Sequence, residues 1–516
     1  FTMMQLRLSS CAARLPGWAP RISMRFSSFD NGKTSTSSPN EVTWESLRIP
    51  DQLLQKISHY GISSPTQIQK MAIPPILKGR NVMFSAETGT GKTLAYLLPL
   101  IQRSMEKMKK ENTNKEQEKT KETDPVAKRF SKRLQKETRD KNNRRPRIIV
   151  LVPNRELAHQ VFATAKQICG GEMNCALLIG GPKRNTQAST LTKESPDLLV
   201  ATPQRILHHR QQDRIYFSKM DALVIDEADV LVSEQGGFKK EIEKIVVPLR
   251  RKGEDRKSPV QVVAASATVT PSSTKFLSEH IPDLRTIRGR NTNKPTAKVV
   301  HDFIRIKQHE KQDKLIELVQ VLKDNMRGNE PVMVFCNSSK SCRATDHHLN
   351  ENGFNASSLH SGIPPSRRKD EWVKFRKGES QVLVCSDIAA RGLDTTKVNL
   401  VVMFDFPKNG VDYLHRSGRT GRLGSSGRVV SLVNHKDDFL AAKIEEYIKY
   451  GKSLEALSVE QLIHEQKLEE QKSQNVKQKT VAGRHPDKIS KAELKRKRDV
   501  KANIAEKLAK LKKYLI

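Results

Sequence analysis

The run Ile148-Ile149-Val150-Leu151-Val152 carries five apolar residues in succession with no polar residue between them. Successive side chains of a strand point to opposite faces, so a strand with one face in water alternates polar and apolar residues. A run without alternation reads as a strand covered on both faces, and a parallel sheet with helices on each side meets that requirement. Similar short runs, Val82-Phe84, Leu198-Ala201, Ala222-Ile225 and Val260-Ala264, alternate with helical stretches from Trp44 to about residue 290. The rhythm then repeats with Val332-Phe335, Val382-Cys385, Leu400-Phe404 and Val429-Leu432. Between the two series the chain turns polar, from Arg288 through Asn293 to Pro295, which predicts a linker over residues 288–297. The expected fold class is α/β, with two tandem parallel-sheet domains, 44–287 and 298–450, flanking a cleft.

The rest of the 516 residues is polar and basic. With 92 Lys and Arg against 57 Asp and Glu the formal charge is +35, which a compact protein tolerates only if the excess faces a polyanion or lies on solvated segments. Nucleic acid is the expected partner. Residues 102–147 hold seventeen Lys/Arg and eight Asp/Glu with hardly an apolar residue, so they read as a disordered basic insertion in the first domain. Residues 451–516 are a basic tail, with a Lys-rich stretch from Lys491 to Lys513, expected to touch RNA. The six cysteines are scattered without a C-x-x-C pair, so reduced thiols and no structural zinc are expected. The longest apolar runs fall far short of the ~20 residues that cross a bilayer, so no membrane partner is expected.

The first 29 residues contain Arg7, Arg14, Arg21 and Arg25, many Ser and Ala, and no acidic residue before Asp30. That composition is the one transit peptides share, and Arg25-Phe26-Ser27-Ser28 resembles a presequence processing site. Residues 1–30 are therefore expected to be a transit peptide followed by a linker over 31–43. The expected address is mitochondrial, with nucleolar, cytoplasmic and plastid locations as alternatives.

Two motifs carry chemistry. Ala86-Glu87-Thr88-Gly89-Thr90-Gly91-Lys92-Thr93 sits between a predicted strand and a helical run. There, backbone N–H groups and a helix N-terminus can cradle phosphates while Lys92 reaches the terminal ones and Thr93 holds Mg²⁺. The first position is Ala86 where the usual pattern has Gly. The second motif is Asp226-Glu227 at the end of the apolar strand Leu223-Val224-Ile225. It places Asp226 to bind Mg²⁺ and Glu227 to orient and deprotonate an attacking water. Alone, either has a plain structural alternative, a Gly-rich turn or an acidic helix cap; together they predict an ATPase.

With these motifs the chain resembles the DEAD-box RNA helicases of helicase superfamily two, whose name-giving motif stands here as Asp226-Glu227-Ala228-Asp229. The resemblance covers about residues 44–440 and implies RecA-like domains, ATP and Mg²⁺ as cofactors, RNA as partner and a monomeric state. Gly61 to Gln69 resembles the adenine-reading motif, with Trp44 at its upstream aromatic position and Ile62 where an aromatic residue is common. The Gln69 amide can donate and accept at once, as adenine recognition requires. Thr88, Gly89, Thr90, Gly91, Lys92 and Thr93 are then nucleotide-binding, and Asp394 approaches the ribose. Ser266-Ala267-Thr268 resembles the coupling motif, with Asp229 and His415 as further coupling residues.

RNA-binding residues implied by the same resemblance are Pro153, Arg155, Gly181, Thr202, Pro203, Arg205, Ser386 and Arg368, with Asp387 and Gly362 beside the RNA backbone. Groups of these kinds suit phosphates rather than base edges. Asn154 stands where Thr is usual, Gln204 where Gly is usual, and Pro365 lies three residues before Arg368 in place of a common Gln. His415-Arg416-Ser417-Gly418-Arg419-Thr420-Gly421-Arg422 resembles the last motif, and Arg419 and Arg422 match the arginine fingers. The implied activity is ATP-dependent local unwinding or remodelling of RNA, in organellar ribosome assembly or RNA processing, with ribosome assembly factors as further partners. An ATP-gated RNA clamp with little unwinding, or a DNA-directed motor, is the alternative.

Overall fold

The computed structural model describes residues 42–457 except 59–61, 88, 122–143, 182–186, 188, 190, 192–194, 234–237, 254–258, 290–291, 297, 307–310, 327, 329, 391–397, 423–424 and 456. The transit-peptide reading, Thr88, Asp394 and the Lys-rich tail lie outside those residues. Two α/β lobes are present, each built on one wholly parallel sheet.

In lobe 1, α1 (Asp51–Ile57) and α2 (Gln67–Leu77) precede β1 (Val82–Ser85), and α3 (Lys92–Lys121) leads to β2 (Ile148–Leu151). Then follow α4 (Arg155–Cys169), β3 (Cys175–Leu178), β4 (Leu198–Ala201), α5 (Pro203–Gln211), β5 (Ala222–Asp226), α6 (Ala228–Leu231), α7 (Lys239–Gly253), β6 (Gln261–Ser266), α8 (Pro271–His280) and β7 (Arg285–Arg288). The sheet order is β3-β4-β2-β5-β6-β1-β7. Its inner strands are buried on both faces, which is why they lack alternation. Ile148 and Val150 enter one apolar layer with Val224 and Val263, whereas Ile149 and Leu151 enter the opposite layer with Leu223 and Ile225.

Lobe 2 comprises β8 (Val299–Arg305), α9 (Lys311–Asn325), β9 (Val332–Cys336), α10 (Ser339–Glu351), β10 (Ala356–Leu359), α11 (Pro365–Lys377), β11 (Val382–Ser386), α12 (Asp387–Ala390), β12 (Leu400–Met403), α13 (Gly410–Ser417), β13 (Gly427–Val433) and α14 (Asp438–Lys449). Its sheet runs β10-β11-β9-β12-β13-β8. All nine expected strands are present, with ends shifted by at most two residues. Four strands were not expected: β3, β7, β8 and β10.

The stretch expected to be a disordered insertion from residue 102 instead continues α3 as helix to Lys121. Met105 and Met108, following Ile101 at helical spacing, keep one face of the helix on the lobe 1 core. The other face is tied down by charge: Lys107 reaches Asp221 in β5's approach, and Arg147 pairs with Glu111 and Asp221. Residues 122–143 of the insertion lie outside the described residues.

The stretch assigned to the tail also begins as packed structure. After α14, Leu454 and Leu457 are buried in the lobe 2 core, and the Gly410 N–H donates to the Leu457 carbonyl at 2.7 Å. A Cβ on Gly410 would fall inside contact distance of the Leu454 carbonyl oxygen, a backbone atom that cannot swing aside. Gly410→Ala is expected to destabilise lobe 2 by about 1–3 kcal/mol through this overpacking. Urea unfolding followed by Trp372 fluorescence measures it, and an unchanged midpoint would contradict the packing.

Candidate active site

Parallel strands place all their carboxyl ends on one edge, where open α/β sheets offer a crevice. In lobe 1 that edge carries the phosphate loop after β1, Pro153 and Asn154 after β2, Thr202 after β4, Asp226 and Glu227 at β5, and Thr268 after β6. Lobe 2 presents Asn337 after β9, Gly362 after β10 and Ser386 with Asp387 at β11. Residues far apart in the chain are thereby gathered along two edges.

The phosphate loop is braced from α2. Gln69 is fully buried, accepts from the Thr66 N–H at 2.8 Å and donates to the Gly91 carbonyl at 3.2 Å, while the Thr66 hydroxyl donates to the Thr90 carbonyl at 2.8 Å. Each end of the amide keeps capacity for one further hydrogen bond. Trp44 packs in the lobe 1 core, with its indole Nε1 buried and unpartnered. Ile62 packs against the same core. At the start of the loop, the Lys92 ammonium donates to the carbonyls of Ala86 and Glu87 at 2.6 and 2.9 Å. Its charged end is enclosed although part of the residue reaches solvent. Burial lowers its pKa to about 8 against the opposing pull of Asp226, Asp229 and Glu227.

Asp226 closes β5 with its carboxylate held by two donors: Tyr96 Oη to Oδ2 at 2.8 Å and the Glu227 N–H to Oδ1 at 3.0 Å. Burial, and then the neighbouring Glu227 charge, raise its pKa to about 6. Glu227 adopts φ 51°, ψ 51°, a left-handed conformation that costs a non-glycine residue about 1–3 kcal/mol. Its Oε2 is buried without a hydrogen-bond partner. A strained backbone that presents an unsatisfied carboxylate oxygen is the signature of a reactive group rather than of a cap.

Asp229 joins three segments. Oδ2 accepts from the Thr268 N–H at 3.0 Å, from the Thr268 hydroxyl and from His415 Nε2 of lobe 2 at 3.1 Å. Oδ1 accepts from the Val230 N–H at 3.1 Å. Burial alone would raise its pKa, but His415, Thr268 and Ser266 hold the carboxyl well below the usual range. The Ser266 hydroxyl donates to the Thr268 carbonyl and fixes that turn.

In α13, Arg416 is buried to 1% exposure and fully committed: Nε and Nη2 grip Asp387 at 2.7 and 2.6 Å, Nη1 donates to the Asp405 carbonyl at 2.6 Å, and Nη2 also reaches Asn337 Oδ1. Asp387, which the resemblance placed beside the RNA backbone, is held by Arg416. Arg419 is buried, with Nε donating to the His415 carbonyl at 3.2 Å; Arg422 Nε donates to the Gly418 carbonyl at 3.0 Å. The Arg422 stem crosses the cleft to lie 3.9 Å from where a Cβ on Gly89 would be.

The expected RNA-side residues also converge across the lobes. The Arg155 guanidinium lies over Gly180 and Gly181, where added Cβ atoms would come within 2.9 and 2.6 Å of it, and Gly181 has φ 103°. The positive φ favours glycine at 181, whereas the Arg155 end could swing aside. Arg368 of α11 approaches Glu156 of α4 at 3.9 Å, and burial together with the Arg368 charge lowers the Arg155 pKa. Asn154 caps α4, accepting from the Leu157 N–H at 2.8 Å, so the departure from Thr preserves a cap. Thr202 and Pro203 start α5 as N-cap and first helical residue, Gln204 is exposed there, and Arg205 Nε donates to Gln187 Oε1 at 2.8 Å. Ser386 ends β11, half-buried.

Sequence reasoning missed two residues. Tyr96 was counted as part of a helix, although a buried phenol must find a partner. Asn293 was read as linker polarity, yet it pairs with lobe 1: its Oδ1 accepts from the Val269 N–H at 2.9 Å and its Nδ2 donates to the Val269 carbonyl at 3.1 Å. Its own carbonyl accepts from the Leu454 N–H at 3.0 Å, and its Nδ2 also reaches Glu455.

The Asp229 pair sets a pH dependence. A depressed folded-state pKa adds stability that is complete above the unfolded value of about 4 and is lost as the pH falls through the folded value. His415→Ala removes one cause of the depression. Acid titration by circular dichroism should place the unfolding midpoint of the variant at higher pH than that of the parent; coincident curves would refute the coupling.

Residues 66–276 match the family model described as DEAD/DEAH box helicase, and residues 310–424 match the helicase conserved C-terminal domain. The chain is 37% identical over 420 residues to DEAD-box ATP-dependent RNA helicase 39 of Arabidopsis thaliana, covering 81% of this chain and 63% of that relative, under two thirds of its length. It is 34% identical over 416 residues to the probable ATP-dependent RNA helicase DDX28 of Mus musculus, covering 77% of this chain and 71% of the relative. Among solved structures, Mss116p (NTE and C-tail double deletion) bound to ssRNA and AMP-PNP superposes with a TM-score of 0.66 at 24% identity, over 80% of this chain and 79% of that one, which establishes the fold. Two family models in the expected order, over two parallel-sheet lobes whose motif residues meet at one cleft, leave one assignment: the chain belongs to the DEAD/DEAH box helicase family.

Proposed function

We propose that this chain hydrolyses ATP in the cleft between its lobes and uses the closed cleft to hold RNA and separate short stretches of paired strands. The observation that carries this reading is the meeting of the two half-sites, with Arg422 of lobe 2 against the phosphate loop and His415 on Asp229. In it, Gln69 and Trp44 receive the adenine side, Asp394 the ribose, and Thr88 to Thr93 the phosphates. Lys92 leaves the Ala86 and Glu87 carbonyls for the terminal phosphate oxygens, a shift from neutral acceptors to charged ones. Glu227 takes the proton from the attacking water, whose oxygen bonds to the γ-phosphorus as the bond to the ADP oxygen breaks. Arg419 and Arg422 face the charge that develops, a contribution of about 10³ to 10⁵ in rate.

The residues present fit a magnesium ion. Thr93 and Asp226 supply a hydroxyl and a carboxylate oxygen, the hard donors that this ion takes along with waters and phosphate oxygens. When bound, the ion neutralises phosphate charge.

Arg155 and Arg368 face each other across the lobes, with Gly181, Thr202, Pro203, Arg205 and Ser386 along the same edges. These groups suit the RNA backbone, so binding is sequence-tolerant and depends on salt. Opening about four base pairs at ~1.4 kcal/mol per step requires around 5 kcal/mol, within reach of a clamp that closes on RNA and ATP together. The Arg-rich leader supports a mitochondrial setting, and the basic extensions support work on large RNA–protein assemblies such as a ribosome in construction.

Glu227→Gln keeps shape and removes the base. RNA-stimulated phosphate release should fall by about 10² to 10⁴ while ATP affinity stays within a few-fold. Undiminished turnover would refute the role of Glu227. Stimulation by DNA in place of RNA would overturn the substrate, and retained biological activity in the variant would make the protein an ATP-gated clamp.

A further inference from the structure

Tyr96 sits on the first turns of α3, three residues beyond Thr93 and on the same helix face. Its side chain is wholly buried in the lobe 1 core. Its hydroxyl donates to Asp226 Oδ2 at 2.8 Å. Thr93 and Asp226 follow strands that are not neighbours, because β6 lies between β5 and β1. No backbone ladder therefore fixes one against the other.

We propose that Tyr96 is a positioning residue of the divalent-cation site, its hydroxyl bridging from α3 to the Asp226 carboxylate so that this ligand stands ready on the side of Thr93. The inference rests on the reading of Thr93 and Asp226 as the cation ligands. The geometry suits the role. With Tyr96 on Oδ2 and the Glu227 N–H on Oδ1, the carboxylate cannot rotate freely, yet each oxygen retains a lone pair. Partners that orient metal ligands in this way typically change metal affinity or activity by about 10- to 100-fold when removed. Magnesium demands near-ideal octahedral geometry, so it is the cation most sensitive to a carboxylate left to swing.

The alternative is that Tyr96 only fills the core and satisfies its hydroxyl on the nearest acceptor. Tyr96→Phe separates the two, since it keeps the ring and removes the bridge. Binding of the fluorescent nucleotide mant-ADP is measured across a magnesium titration and again in EDTA, with full-length protein and a thermal melt as the check on folding. The expected result is a magnesium requirement raised about 10- to 100-fold, with metal-free affinity unchanged. Equal magnesium requirements in parent and variant overturn the positioning role, as does an affinity loss of the same size in magnesium and in EDTA. Nucleotide binding by the parent that ignores magnesium overturns the cation site itself, which is a separate failure. Should the variant melt before it can be assayed, the ¹³Cζ resonance of Tyr96 in the unmodified chain is the readout. It should shift on magnesium addition in the presence of ADP, and an unmoved resonance overturns the proposal.

Discussion

The carboxylate of Asp229 is bonded from three directions, and the arrangement of the cleft depends on it. The Val230 N–H fixes it to its own helix, Thr268 binds it through backbone and side chain from the end of β6, and His415 binds it from the other lobe. An ionised carboxylate removed from water costs several kcal/mol unless its lone pairs are used. Here all the compensation comes from groups whose positions matter to the chemistry. If the lobes part, His415 departs and the carboxylate loses one of its donors. A single buried charge thus connects the turn after β5, which carries Glu227, to the turn after β6 and to α13, whose end leads directly into Arg419. Such a charge is weak evidence for stability, but it strongly favours the one lobe arrangement that satisfies it.

Lobe 2 has its own fixed point in Arg416. Four N–H groups of a planar guanidinium donate to Asp387, the Asp405 carbonyl and Asn337, and the face of the group lies over Phe335 at 5.5 Å. The effect is to tie α13 to the ends of β9, β11 and β12, so His415 and Arg419 on either side of Arg416 project from a rigid support. Of three arginines in one motif, Arg416, bonded within lobe 2, supports the other two. Lysine at 416 could not reproduce this, because a point charge lacks the fork that spans four acceptors.

Much of this was legible in the sequence where physics is local. Unbroken apolar runs located the inner strands, and the phosphate loop and Asp226-Glu227 could be placed because they follow such runs. Legibility fails where a residue's partner is distant in the chain. Strand β10, Ala356-Ser357-Ser358-Leu359, is half serine and becomes a strand only because β11 supplies its ladder. The polar Asn293 looked like linker because nothing nearby shows that its amide matches the Val269 backbone. The helix beyond residue 102 was missed because Met105 and Met108 are sparse apolar positions in a charged stretch, enough for one face but not for a composition count. The resemblance placed Asp387 beside RNA, but its bond to Arg416, 29 residues on, could not be seen in the sequence.

The contacts between the lobes also explain why ligands should control them. Among them are His415 with Asp229, Arg368 with Glu156, the Arg422 stem beside Gly89, and Asn293, which joins Val269 to Leu454. A partly exposed pair such as Arg368 and Glu156 contributes about 0–1 kcal/mol. Against it stands the approach of Arg155 to Arg368, two like charges brought together from opposite lobes. The closed cleft is therefore held chiefly by the buried Asp229–His415 pair and opposed by its own basic residues. A polyanion lying between Arg155 and Arg368 converts that repulsion into attraction, and a nucleotide phosphate between Lys92 and Arg422 does the same at the other end. In the proposed function each ligand would favour the state the other needs, and by linkage the two affinities would rise together. Direct contacts this few would let RNA and nucleotide, acting jointly, decide whether the cleft is closed.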